Sequence, residues 1–410
     1  MSIITKISRL DTNTNFMWLV LTYSLLPGLS KIMGIQVLMM INILIIGYLF
    51  YKGKNNIRIY RVDFFLLFFL VYILIQSFFF FFFPFVNRTG LMMGFYLSII
   101  PILGYFISRS IAIEQYAQSL LKIVFIHCII GIVLYPAFGF TNRSMPIVDV
   151  LLDGVAFGRM SSVSGSLPFG NLMMTGFTLS LFFNKKLLPI IIFCLLFSAQ
   201  RSAWIGSFFI VIVYLWMQFK QTKVLNIFSF VLVTMLFLLL GHIVIGRIFN
   251  IDLGFIYTRI ERLGDASGER VDLWRNGIYN FIENPMGVGV GQVGQVASRF
   301  ENAYTVFRLV PDGDYFRVLS EHGLIGGVFY IFSVFLLCFM LFFLRFGEKS
   351  EAVIVALLLG NFFQMIGSNI SEFYFSNFLY WMTFGYFFHL VHNKVKLYQT
   401  IKVITPEELR

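Results

Sequence analysis

Long apolar runs, broken by short polar interruptions, dominate the chain from its first residues. A helix that crosses a bilayer needs about 20 mostly apolar residues. Twelve runs reach or approach that length: 16–30, 33–51, 62–83, 90–108, 119–140, 169–184, 187–199, 202–219, 224–246, 323–345, 352–368 and 373–391. The pairs meeting at Lys31 and at Gln200-Arg201 are separated by almost no loop, so the count of twelve carries a margin of one or two. The pattern predicts an all-α polytopic membrane protein with about twelve transmembrane helices and one long outer loop. Residues 1–246 hold helices one to nine with an outer loop at 141–168, residues 247–322 form the long loop, and 323–410 hold helices ten to twelve and a tail. Lys6 and Arg9 precede the first run, which has no small-residue cleavage site, so it reads as an uncleaved span. The run Phe78–Phe83 ends the third span at Pro84 and is expected to face lipid.

Composition narrows the class. Only 12% of the 410 residues are charged, while 58% are hydrophobic and 19% aromatic. Soluble domains carry about 25% charged residues, so a soluble enzyme, a nucleic-acid binder and a disordered chain are excluded together. Cys128, Cys194 and Cys338 all lie in apolar runs, with neither a disulfide framework nor a metal-ligand spacing. No metal site is expected from these residues.

The net charge of +11 describes topology. With the N-terminus inside, the inner stretches collect 18 of the 31 basic residues, and eight of the other 13 fall in the long outer loop, which translocates largely regardless of charge. Both termini are then cytoplasmic. Twelve of the 13 lysines lie inside, Lys31 being the exception, whereas the outer cations are otherwise all arginine. Arginine presents a planar, permanently charged fork that can grip a phosphate in two places. The plainer account is that lysine is favoured in cytoplasmic loops and arginine fills the remainder.

Two outer segments are long enough to carry chemistry. The first, 141–168, contains Arg143, Asp149, Asp153 and Arg159 and ends in a turn-rich stretch. In the second, 247–322, eight arginines are offset by ten acids, which suits a folded polar cap rather than a basic patch. Within it, Val271, Trp274, Ile278 and Phe281 recur at helical steps, and Asn284-Pro285 stops that helix. Trp274 and Tyr279 suit a helix lying at a membrane interface. The glycines of PMGVGVGQVG (285–294) predict tight turns and close backbone approach. That stretch superficially resembles a nucleotide loop, but the flanking strand–helix unit such a loop requires is missing.

Further on, PDGDYFRVLSEHGLIGG (311–327) leads into the tenth span. If 314–322 is helical, Asp314, Arg317 and Glu321 share one face, and a surface ion-pair ladder is the plain account of them. Asp312 falls near the start of that helix, where a carboxylate is kept ionised. A carboxylate there could serve as general base toward a hydroxyl nucleophile. Arg201, in SAQRSAWIG (198–206), sits between two spans near the outer hydrocarbon boundary. An ionisable group at such depth usually faces a cavity or partner. Either it snorkels to the interface, or it anchors an anionic lipid headgroup.

The order of these segments is similar to that of the bacterial O-antigen polymerase and O-antigen ligase superfamily. An S-x-R segment comes late in the first half. A long outer loop follows, with R-x-x-x-W, a glycine-rich P-x-G-x-G and a short helix ending in G-x-x-G. Here these are SAQRSAWIG (198–206), GERVDLWRNGIYNFIENPMGVGVGQ (268–292) and DGDYFRVLSEHGLIGG (312–327). The resemblance implies a GT-C-like fold, a bacterial inner-membrane location and an undecaprenyl-diphosphate-linked oligosaccharide as substrate at the periplasmic face. It implies metal-independent, inverting glycosyl transfer without a cofactor, and it allows a chain-length regulator protein as a partner. In the ligase branch two arginines engage the diphosphate, and Arg201 and Arg270 occupy the matching positions. The histidine that family uses as its base corresponds, counting back from Gly323 to Gly326, to Asp312. The base is therefore open among Asp312, Asp314 and His322. Arg317, Trp274 and Arg159 complete the expected substrate-binding set. A polymerase of surface polysaccharide is the leading expectation, with a ligase to lipid A core second. A lipid-linked oligosaccharide flippase is third and is disfavoured because the spans are nearly free of charge.

Overall fold

The computed structural model describes residues 16–24, 35–53, 59–60, 63–84, 86–135, 159–221, 265–299, 307–310, 312–343 and 348–403, and among these every regular element is a helix. Residues 16–24 are helical. After them come α1 (Ile35–Gly53), α2 (Asp63–Phe81), α3 (Arg88–Ile99), α4 (Leu103–Ile107), α5 (Ile113–Tyr135), α6 (Ser166–Phe183) and α7 (Leu188–Phe197). The remainder are α8 (Arg201–Gln221), α9 (Asp265–Glu283), α10 (Gln295–Arg299), α11 (Asp314–Phe343), α12 (Lys349–Ile366) and α13 (Tyr374–Val403). The run 224–246 and the loop residues 141–158 and 247–264 lie outside the described residues.

The chain is an all-α membrane protein. Among the described residues, four helices are long and apolar enough to cross a membrane: Asp63–Phe81, Arg88–Ser110, Ile113–Tyr135 and Lys349–Ile366. Shorter apolar helices run over Met39–Tyr51, Leu167–Phe183 and Arg201–Met217. The polarity of α2 is inverted relative to a soluble helix. Phe64, Phe65, Phe68, Val71, Ile75, Phe78 and Phe79 are exposed, while Asp63, Gln76 and Ser77 are buried. Such an arrangement is stable only where apolar side chains meet lipid and polar ones find partners inside. The same logic joins α6 to α12, where Asn171 Nδ2 donates to Asn361 Oδ1 at 3.0 Å and to Gln364 Oε1 at 2.7 Å.

Two departures from regular helix position the site. Helix α7 has only ten residues, about 15 Å of rise against a hydrocarbon core of about 30 Å. The turn after it leads directly into Arg201, the first residue of α8, which is half-buried. Ala199 makes that turn with φ of 50°, a left-handed conformation that costs a non-glycine residue about 1–2 kcal/mol. The second departure is Gly323, whose φ of 62° and ψ of −156° break α11 where the sequence pattern starts its tenth span. The segment 314–322 is thus a separate short helix above the span.

At the opposite end of the bundle, Arg109 forms two bonds to Asp63, at 2.6 and 2.7 Å, with both side chains buried. One of the cations that set the topology in sequence is therefore also a packing element.

Candidate functional site

Two arginine–carboxylate assemblies lie side by side, and Asp312 and Asp314, two residues apart, belong to different ones. The first is open. Arg270, on α9, brings Nε to 3.5 Å from Asp312 Oδ2, and their side chains are 27% and 30% exposed. Burial raises the pKa of the Asp312 carboxyl above the ordinary carboxylate value, and the charges of Arg270, Arg159 and Arg201 oppose that rise. Four of the residues singled out from sequence therefore converge, although they come from the end of one outer loop, the start of α8, α9 and the loop before α11. The predicted helix at 270–283 is present and starts earlier, at Asp265. It ends at Glu283, just before Asn284-Pro285. Trp274 stacks on Phe316 at 5.2 Å between ring centroids, with 12° between planes. Among the described residues its indole Nε1 has no hydrogen-bond partner. It lies 2.8 Å from where a Cβ on Gly313 would stand, so the glycine, at φ of 90°, makes room for the ring beside Asp312.

The second assembly is closed. Asp314 and Glu321 are 0% exposed and the Arg317 side chain 6%. Arg317 Nη2 donates to Asp314 Oδ1 at 3.1 Å, Nη1 donates to Glu321, and Nε lies 4.0 Å from Glu372 Oε2. Backbone groups satisfy the remaining carboxylate oxygens. The Ser371 N–H donates to Asp314 at 2.9 Å and that of Gly291 to Glu321 at 2.9 Å. The Gln295 and Val296 N–H groups donate to Glu372 at 2.8 and 3.1 Å. The face shared by Asp314, Arg317 and Glu321 exists, but it points into the protein and is not a surface ladder. Burial works against the Arg317 charge, and Glu321, Glu372 and Asp314 together more than offset it, so its pKa lies above the usual arginine value. Burial raises the carboxyl of Glu321, and Arg317 opposes that rise. His322, the third candidate base, is buried against Phe69, with Nδ1 3.1 Å from Gln76 Oε1. Burial and then Arg317 push its pKa down to about 3.

The glycine-rich stretch 285–294 connects the two assemblies, and it makes the close approach its composition predicts. Gly291, at φ of 72°, lies against α3, where a Cβ on Gly94 would stand 2.6 Å from its Cα and N. Sequence reasoning missed Glu372 and Ser371. The signal for Glu372 was the one used for Arg201: an ionisable residue at the edge of an apolar run, in NISEFYF. Among the described residues, no group of three or more histidine, cysteine, aspartate or glutamate side chains is placed to hold a metal ion.

A family model described as O-antigen ligase matches residues 187–331, a stretch that contains all three segments carrying the resemblance and both assemblies except for Arg159, Ser371 and Glu372. No curated protein matches the chain. Over residues 187–331 the chain is therefore similar to the O-antigen ligase family.

Proposed function

We propose that the protein is a surface-polysaccharide polymerase that joins undecaprenyl-diphosphate-linked repeat units at the periplasmic face of the inner membrane, with both termini cytoplasmic. The observation that carries this reading is the convergence of Arg159, Arg201 and Arg270 on Asp312. Three guanidiniums act on one carboxylate. A diphosphate esterified at both ends carries two negative charges, opposite in sign to those guanidiniums.

The chemistry follows from those charges. The acceptor hydroxyl attacks C1 of the donor sugar and gives its proton to the Asp312 carboxylate. The new glycosidic bond forms as the C1–O bond to the diphosphate breaks. The departing lipid diphosphate keeps the electron pair and gains negative charge. Arginines fixed around it stabilise that charge more in the transition state than in the ground state. A single displacement inverts the anomeric centre. Asp312 is preferred to Asp314 and His322 because both of those are buried and engaged by neighbours.

The description of the matched model, O-antigen ligase, favours transfer of finished glycan to lipid A core as the second reading. One experiment separates the two: deletion of the gene, followed by a gel of surface polysaccharide. Core bearing a single repeat is the expected result. Bare core with accumulated lipid-linked polymer would replace the polymerase reading with the ligase one.

A further inference from the structure

His127 lies within α5, a helix long enough to cross a membrane, and belongs to neither arginine–carboxylate assembly. A polar, ionisable side chain at such depth is costly and needs specific partners. His127 is fully buried and is bonded through both ring nitrogens. Nε2 lies 2.7 Å from Ser24 Oγ, and Nδ1 lies 2.5 Å from Ser162 Oγ. The network assigns the protons. The Ser24 hydroxyl donates its one hydrogen to the Leu21 carbonyl at 2.9 Å, so toward His127 it accepts, and Nε2 carries the N–H. Nδ1 of the neutral ring then accepts from the Ser162 hydroxyl. Ser162 Oγ in turn meets Ser164 Oγ at 2.9 Å and accepts from the Ser164 N–H at 3.4 Å. All three serines are buried.

What this chain of bonds holds is the segment that follows Arg159. The Met160 N–H donates at 2.8 Å to the carbonyl of Phe197, the last residue of α7. The Met160 side chain reaches Gly131, one turn beyond His127 on α5, where a Cβ would stand 3.4 Å from its Cγ. Ser162 bonds His127, and its carbonyl accepts from the Gly165 N–H at 3.0 Å as the chain turns, with Gly165 at φ of 87°, into α6. Residues 160–165 are thus seated on α5 and on the end of α7, whose following turn leads to Arg201. Arg159 enters that seat directly, and its charge acts on Asp312. A displacement of about 1 Å is enough to spoil a preorganised contact, so the seat matters to the charge it carries.

We propose that His127 is a positioning residue of the diphosphate site: through Ser162 it fixes the segment that carries Arg159 into the open assembly. This inference rests on the diphosphate reading given above. The affinity of the purified full-length protein for undecaprenyl diphosphate in detergent, measured by microscale thermophoresis, tests it. Ser162→Ala removes one hydroxyl and leaves the histidine in place, while His127→Phe keeps a ring and loses both bonds. Each should raise Kd about tenfold, as Arg159→Ala should, the scale of one charge-assisted contact. The double variant decides the route. Added to Arg159→Ala, Ser162→Ala should cost nothing further, because it acts through that arginine. A general loosening of the fold would instead weaken binding as much again. If His127→Phe does not fold, Ser162→Ala alone decides. Unchanged binding in Arg159→Ala or in Ser162→Ala, or losses that add in the double variant, would overturn the inference and leave the diphosphate reading standing. No binding by the wild-type protein would remove that reading and the inference with it.

Discussion

The open and closed assemblies use the same side chains in opposite proportions. Around Asp312, three arginines share one partly exposed carboxylate. Around Arg317, three buried carboxylates share one arginine. The open assembly is partly exposed, so water can reach its charges. Three carboxylates sealed from water are stable because backbone N–H groups of Gly291, Gln295, Val296 and Ser371, with the side chains of Ser371 and Asn369, complete them. Through those same bonds the closed assembly ties the glycine-rich stretch and the 368–372 segment to the helix that follows Asp312. On the proposed function, binding and chemistry belong to the open assembly and positioning to the closed one.

Variants can break that division. The largest effect is expected from Arg317→Ala, which leaves three carboxylates buried without their cation. Breaking a buried pair costs about 3–5 kcal/mol, so the variant should disappear from the membrane fraction on an immunoblot. Wild-type levels would show that the closed assembly does not support the fold. Arg201→Ala should leave the protein level unchanged and lower the polymerisation rate about 100- to 1000-fold, the scale of losing one preorganised charge contact. Wild-type chain lengths in that strain would remove Arg201 from the site. Arg270→Lys keeps the charge but loses the fork. A fall of about tenfold is expected, and full activity would give Arg270 a structural role. The smallest effect is on the pH profile. The Asp312 pKa is raised, so its base form is lost as pH falls through a value above the ordinary carboxylate figure of about 3.9. Initial rates in detergent should decline on acidification before an ordinary carboxylate titrates. A flat profile through that range would argue against Asp312 as the base.

Much of the framework was legible because apolar length and helical period are local signals. Among the described residues the apolar runs are helical, Asn284-Pro285 follows the end of α9, and Gly323 breaks α11 where the sequence pattern starts its tenth span. The chemistry-bearing residues were found by type and position, but their environments were not. Asp312 and Asp314 look equivalent in PDGD, yet one is 30% exposed and the other sealed. That difference comes from Ser371 and Glu372, about sixty residues away in sequence. The packing of Gly291 against α3 joins segments about two hundred residues apart, and Ala199 carries no compositional mark of the left-handed turn it makes.

The direct test of the division is Asp312→Asn beside Asp314→Asn, assayed with purified protein and a lipid-diphosphate-linked repeat unit. Asp312→Asn should fold as wild type and lose about 100- to 10,000-fold in rate, the range for removing a general base. Asp314→Asn should instead lower thermal stability, with the remaining folded protein still active. An active Asp312→Asn enzyme would contradict the central claim.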